Sequence, residues 1–442
     1  MVKIFDKLKK FFLFRFQDRT GRDISLVASG VLAELIANGL TYLILTRIYP
    51  PTGFGVFASF VFFGTLLFVL STLRYDWFIP SAKTDLEAIN ILFFCVLLIV
   101  FVSVFLTLPI FNLSIQIFKN SEIANLREYK WFSPFYVFSF SLYQVAIAWA
   151  TRKKYFLDIT KAKFFQSISL FAISCGLAIF GFGIEALILG NILSLFLGSL
   201  ILTLSYIKKD REVLKDLSLR YAIFYAKKYF RLSIPSVGQS FISVFIFQAV
   251  PFLITAYFNS AVAGHYFLAD KIINLPTIIV GQATFQVFWS EASFTKNEKP
   301  KELMFLFMSF FRKLLRLSWI PVVIGILGPF TFEFIFGSKE WSRAGEIAFL
   351  LIPAVFSHFC IFPLLPIFIV IEKQHLLFLL DTLRIIFIFL CFYIPHKLNL
   401  EPKLAILLYS FATAFIYSLI FLVSIFEIKK KNKKSLIEFI SD

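Results

Sequence analysis

The chain has 442 residues, of which 59% are hydrophobic and 16% charged, with a formal net charge of +17, and its mean hydropathy is +0.82. That balance excludes a soluble globular domain and fits a protein that crosses a membrane many times. The basic excess is not a nucleic-acid surface, because the lysines and arginines sit in short clusters between apolar runs and are not interleaved with aromatics on a polar domain.

Residues 1–23 form a basic lead-in with Lys3, Lys7, Lys9, Lys10, Arg15, Arg19 and Arg22, and its phenylalanines suit an interfacial helix. The apolar run that follows is too long for a signal-peptide core and lacks a small-residue cleavage site, so the segment is expected to be retained. At about 1.5 Å per residue, residues 24–48 can cross a hydrocarbon core of about 30 Å. Glu34 lies near their middle. Arg47, the stop Tyr49-Pro50-Pro51 and the glycines Gly53 and Gly55 then turn the chain into the next apolar run, a helical hairpin.

Apolar runs predict twelve spans, at about 24–48, 54–79, 88–108, 131–150, 163–182, 184–206, 232–258, 262–289, 309–336, 344–371, 376–396 and 403–427. The turn after the first span recurs: Thr46, Tyr49, Gly55 and Phe57 are matched by Thr255, Phe258, Gly264 and Tyr266 at a constant offset of 209 residues. The expected architecture is therefore an all-α polytopic membrane protein of two six-helix lobes, 24–206 and 232–427, related by a parallel repeat. A cytoplasmic linker, 207–231, joins them, and a basic tail, 428–442, ends the chain.

Clusters of Lys and Arg recur in alternate loops, at Arg152 to Lys163, Lys208 to Arg231, Lys296 to Lys301 and Lys429 to Lys434, while the intervening loops hold far fewer. The positive-inside rule then places both termini in the cytoplasm. Prolines fall inside spans at Pro235, Pro251, Pro276, Pro353, Pro363 and Pro366; packing kinks and conformational hinges are both compatible with them.

Ionisable side chains within spans cost about 2.5–3.5 kcal/mol on insertion scales and so face partners or wet cavities. The deepest are Glu34, the Asp270-Lys271 pair, and Asp381 with Arg384. Arg47, Arg74 and Asp76 lie nearer span ends. Asp381 and Arg384 are three residues apart and are expected to neutralise each other. Asp270 and Lys271 point about 100° apart and cannot share one partner. Arg74-Tyr75-Asp76-Trp77 is read equally as an interfacial anchor or a cavity site.

The cysteines, Cys95, Cys175, Cys360 and Cys391, each lie in an apolar run, and the four histidines are scattered, so no metal, disulfide framework or cofactor is expected. No GxSxG, Walker-type, HExxH or DxD-like motif is present, and the loops are too short for a catalytic domain. An enzyme is not expected.

The segments LTRIYPPTGFGVFASF, LRYDWFIPSAKTDLEA, FLADKIINLPTIIVGQATFQVFWSEAS and FGSKEWSRAGEIAFLLIPA together resemble the Wzx-type O-antigen and polysaccharide flippases of the multidrug/oligosaccharidyl-lipid/polysaccharide exporter superfamily. The resemblance implies two lobes that alternate access across the bacterial inner membrane. The implied substrate is an undecaprenyl-diphosphate-linked oligosaccharide, with a polysaccharide polymerase or ligase as candidate partners. In that setting Lys271, Arg47, Arg74 and Arg384 are the candidates for the substrate diphosphate. Glu34, Asp270, Asp76 and Asp381 are the candidates for a coupling proton or sodium ion, or for balancing those cations. The two additional helices of lipid II flippases are not found. An ion-coupled drug antiporter of the same superfamily is the alternative; a membrane polymerase or ligase lacks the large outer loop it would need.

Overall fold

In a bilayer the backbone has no polar partner but itself, so long Leu-, Ile- and Phe-rich runs close their own hydrogen bonds as helices. The computed structural model describes residues 37–119, 121–298 and 302–441, and all secondary structure among them is helical. Nine of these helices are long and apolar enough to cross a membrane; the pair Ser260–Ile273 and Thr277–Lys296, bent by 48° at its break, makes ten. They fall on the second, third and fifth to twelfth expected spans. The helix at the fourth, Ser133–Arg152, carries Ser133, Ser139, Ser141, Gln144 and Thr151 and is the less apolar one. The lead-in 1–23, Glu34 and most of the first expected span lie outside the described residues; of that span, 37–45 is helical.

Helix starts follow capping chemistry. Thr84 accepts from the backbone of Glu87, and the Glu87 carboxylate accepts the amide of Lys83, the residue before the N-cap, at 3.0 Å, a variant of the capping box that opens helix Asp85–Phe101. Asn259 likewise accepts the Val262 amide at 2.8 Å and opens Ser260–Ile273. The prolines divide into two classes. Helix Leu219–Tyr257 runs unbroken through Pro235 and Pro251, whereas Pro276 stands at a π-turn, Thr277–Gly281, and Pro363 lies in a 3-10 turn, Phe362–Leu364. Leu219–Tyr257 also takes up the last part of the expected linker, and Pro402–Ser441 continues through the expected tail.

Two compact units divide the chain. One takes the described residues up to Ile48, with Phe63–Ile117 and Asn125–Phe241; the other takes Tyr49–Phe62, Phe118–Ala124 and everything from Ile242. The division runs through helix Pro51–Thr72.

In the first unit, Gly190 lies against Ser174 and Gly198 against the Tyr143 ring, so that Phe156–Ile179 and Ser133–Arg152 approach Ile184–Lys209 closely. Below them the loops are bound by ion pairs. Asp85 meets Arg152 at 3.0 Å and Lys153 at 2.5 Å, and Asp158 meets Lys209 at 2.5 Å. Asp210 accepts from Trp149 Nε1 at 3.1 Å and from the Tyr155 hydroxyl at 3.0 Å. Glu87 binds Lys228 at 2.5 Å and the Tyr229 hydroxyl at 3.1 Å, and Asn90 bonds the Asp216 carbonyl and the Ser218 amide, which fastens the linker to this unit.

In the second unit the two glycines that recur at the 209-residue offset meet each other. A Cβ on Gly55 would collide with the Ser260 carbonyl, and one on Gly264 with the Pro51 carbonyl. Pro51 and Ser260 each lie four residues before their glycine, so the contact is reciprocal, and only glycine permits this backbone approach. Around it, Phe54 meets Trp341 edge-on at 5.3 Å, Ser59 donates to Thr255 Oγ1 at 3.0 Å, and the Glu122 carboxylate accepts the Ser260 amide at 2.6 Å.

Candidate functional site

The interior of the second unit contains a file of polar side chains. It starts at Asp270, in the last turn of Ser260–Ile273, whose carboxylate accepts from Asn274 Nδ2 at 2.7 Å, a contact set by helical i, i+4 spacing. Asn274 Oδ1 lies 3.4 Å from His358 Nδ1, on helix Ile352–Ile361. The His358 ring stacks on Tyr417 with centroids 5.5 Å apart, and the Tyr417 hydroxyl accepts from Arg384 at 2.9 Å. Four separate helices and one helix cap supply these five residues.

Arg384 is 5% exposed. Its guanidinium lies 4.6 Å from the Tyr417 ring centroid and 5.9 Å from that of Phe247, so aromatic faces flank it. Its Nε, His358 Nε2 and Thr413 Oγ1 are buried with no hydrogen-bond partner among the described residues. A buried donor such as Arg384 Nε costs about 1–3 kcal/mol when left unmade, so this edge of the guanidinium is open to a further acceptor.

Asp381 and Arg384 make no direct ion pair, although the Asp381 carboxylate still acts on the guanidinium at longer range. No described carboxylate, Asp381 included, lies within ion-pair distance of Arg384, which turns instead to the phenol of Tyr417. Helical spacing put the two residues on one face, but the aromatic partner on Pro402–Ser441 took the guanidinium. Asp270 and Lys271 diverge as their adjacency requires: Asp270 points to the polar file, while Lys271 is exposed with its ammonium 5.3 Å from the Phe267 ring.

The remaining candidates lie in the first unit. Arg74, with φ 58°, is in the left-handed region and closes helix Pro51–Thr72. Its guanidinium meets Asp76 loosely at 3.6 Å and covers the Trp77 ring at 4.1 Å. Arg74 Nε and Asp76 Oδ1 are both buried without a hydrogen-bond partner, so this pair too is incompletely satisfied. Arg47 is exposed. Glu34 lies outside the described residues.

Asn274, His358 and Tyr417 do not stand out in the sequence. Asn274 alone had a local signal, its place four residues after Asp270. His358 and Tyr417 acquire their role from tertiary packing between helices far apart in the chain.

Residues 44–344 match the family model described as polysaccharide biosynthesis protein. No protein of curated function matches the sequence. Among solved structures, a mutant of the Vibrio cholerae MATE transporter VcmN is similar over 93% of this chain and 96% of its own, at 10% identity and a TM-score of 0.60. A MOP superfamily transporter from Pyrococcus furiosus is similar over 92% of this chain and 94% of its own, at 15% identity and a TM-score of 0.56. An outward-facing multidrug resistance MATE family transporter reaches the same TM-score of 0.56 at 14% identity, over 92% of this chain and 95% of that one. The chain thus has the fold of the MOP superfamily transporters.

Proposed function

The chain belongs to the polysaccharide biosynthesis protein family, and from that premise we propose that it is a flippase for undecaprenyl-diphosphate-linked oligosaccharide repeat units. It works by alternating access in the bacterial inner membrane, with both termini in the cytoplasm and two six-helix lobes. The observation that carries this reading is Arg384: a buried guanidinium with no described carboxylate in direct contact, held between aromatic rings with a donor to spare. Such a group is costly to keep unless an anion visits it, and a diphosphate offers the acceptors that a guanidinium fork fits.

Lys271, Arg74 and Arg47 are assigned to the same task of drawing in and holding the diphosphate, while the prenyl chain remains in lipid. Asp270, through Asn274 and His358, and Asp76 and Asp381 balance these charges or take up the coupling proton or sodium ion. A polysaccharide polymerase or ligase is the expected recipient of the product.

The second reading is an ion-coupled drug antiporter, favoured by the MATE transporters among the similar folds. A cationic drug calls for acidic cavity residues, and Asp270 is the acid in the polar file. Purified protein in liposomes separates the two. Transbilayer movement of a fluorescent polyprenyl-diphosphate oligosaccharide is expected, without efflux of a cationic dye; dye efflux without lipid movement would overturn the flippase reading.

A further inference from the structure

The helix beyond the π-turn, Gln282–Glu298, has two unlike faces. Phe288 and Ala292 are fully buried in an apolar cluster with Phe307. The opposite face carries Gln282, Gln286, Trp289, Ser290 and Ser293, spaced so that they align along one side of a helix. Trp289 is 43% exposed and held edge-on against Phe285, with centroids 6.2 Å apart. Two adjoining shallow depressions of about 190 and 300 Å³, open to the surface, lie along this face and share Trp289 and Ser293 in their linings.

Three properties define what these depressions would take. First, the four polar side chains, Gln282, Gln286, Ser290 and Ser293, make no side-chain hydrogen bond among the described residues. A serine in a helix usually turns its hydroxyl back to a carbonyl one turn earlier, and neither Ser290 nor Ser293 does. Unsatisfied polar groups on a span do not face lipid, so this side of the helix lines a wet space. Second, the face is polar without net charge: amides and hydroxyls offer donors and acceptors together, and the nearby Lys296 is matched by Glu372 at 2.6 Å. Third, an aromatic face stands among them. A neutral, polyhydroxylated ring with one apolar side fits all three, whereas a phosphate, a nucleotide or a drug cation would require a charge that this face lacks.

We propose that Gln286, Trp289, Ser290 and Ser293 form a sugar-binding subsite, in which Trp289 stacks on one face of a pyranose ring and the amide and hydroxyls bond its hydroxyl groups. The assignment rests on the flippase reading and gives the glycan a place separate from Arg384, which holds the diphosphate.

The test is equilibrium binding to the purified full-length protein of two probes: the undecaprenyl-diphosphate-linked repeat unit isolated from cells that make it, and undecaprenyl diphosphate alone. The wild type is expected to prefer the glycosylated lipid. Trp289→Ala, and separately the double variant Gln286→Ala with Ser290→Ala, lower that preference about tenfold or more and leave binding of the bare lipid unchanged. Trp289→Phe retains most of it. Variants that keep the wild-type preference would overturn the sugar subsite while leaving the flippase reading intact. A wild type that binds neither lipid would overturn both. The double variant replaces only exposed side chains, so the test survives if Trp289→Ala does not fold.

Discussion

Charges in the loops of the first unit and in the interior of the second are treated in opposite ways. In the first, Asp85 is shared by Arg152 and Lys153, Asp158 is met by Lys209, and Asp210 collects Trp149, Tyr155 and Lys153. Each carboxylate is satisfied by the chain itself, and the result is a tied set of loops. In the second, Arg384 is buried against Tyr417 and Phe247 with no described carboxylate in direct contact, Asp381 acting on it only at longer range. A satisfied charge is a fastening; an unsatisfied one in a membrane protein is an opening for a ligand. The two regions should therefore fail differently when mutated.

The largest effect is expected at Arg384. If Arg384 is the proposed diphosphate anchor, replacing it with Ala costs about 3 kcal/mol or roughly 100-fold, read as surface polysaccharide in cells at unchanged protein level. Arg384→Lys keeps the charge but not the fork and recovers part of the activity. Normal polysaccharide in Arg384→Ala cells would erase the contrast between the two regions.

Next comes Asp210→Asn, which weakens three contacts at once. About 1–3 kcal/mol of stability is expected to go, measured as a lower melting temperature in detergent, with transport per folded molecule unchanged. The same residue governs a titration. Burial first, and then the hydrogen bond to Asp210, push the Tyr155 phenol from 10.0 up to about 12. Because its folded value is raised, the stability this phenol contributes is complete below pH 10 and lost as the pH climbs towards 12. In Asp210→Asn the phenol should titrate nearer its ordinary value, which ultraviolet absorbance of the tyrosinate would detect.

Asp85→Asn should cost less, about 1 kcal/mol or under, since the Asp85 side chain is 44% exposed and its two ion pairs are screened. Smallest of all is Asp381→Asn. With no direct ion pair to break and only a longer-range attraction to Arg384 to lose, its melting temperature should stay within the equivalent of about 0.5 kcal/mol; a large drop would mean that Asp381 is the main counter-charge of Arg384.

Much of the fold could be read from the sequence because bilayer physics acts locally: a run of apolar residues long enough to cross becomes a helix whatever its neighbours do. The offset of 209 residues also identified Gly55 and Gly264, which the structure places against each other. Signals that depend on tertiary choice were less legible. Pro235 and Pro251 leave their helix intact while Pro276 marks a break, although all three looked alike. The basic stretch before residue 232 folds as the start of a helix, since hydropathy marks only the apolar part of a longer amphipathic element. At the candidate site, spacing named Asp270 and Arg384 and put Asp381 on the same face as the guanidinium, but not its hydrogen-bond partner Tyr417, because i, i+3 spacing reports proximity within a helix and not which partner another helix supplies.

On the proposed function, the buried cation of the second unit is kept for a diphosphate. The most direct measurement of this is equilibrium binding of undecaprenyl diphosphate to purified wild-type protein and to Arg384→Ala, with undecaprenol as the neutral control. The wild type is expected to prefer the diphosphate, and the variant to lose roughly 100-fold in affinity for it while binding undecaprenol unchanged. Equal affinity of the two proteins for the diphosphate would contradict that role.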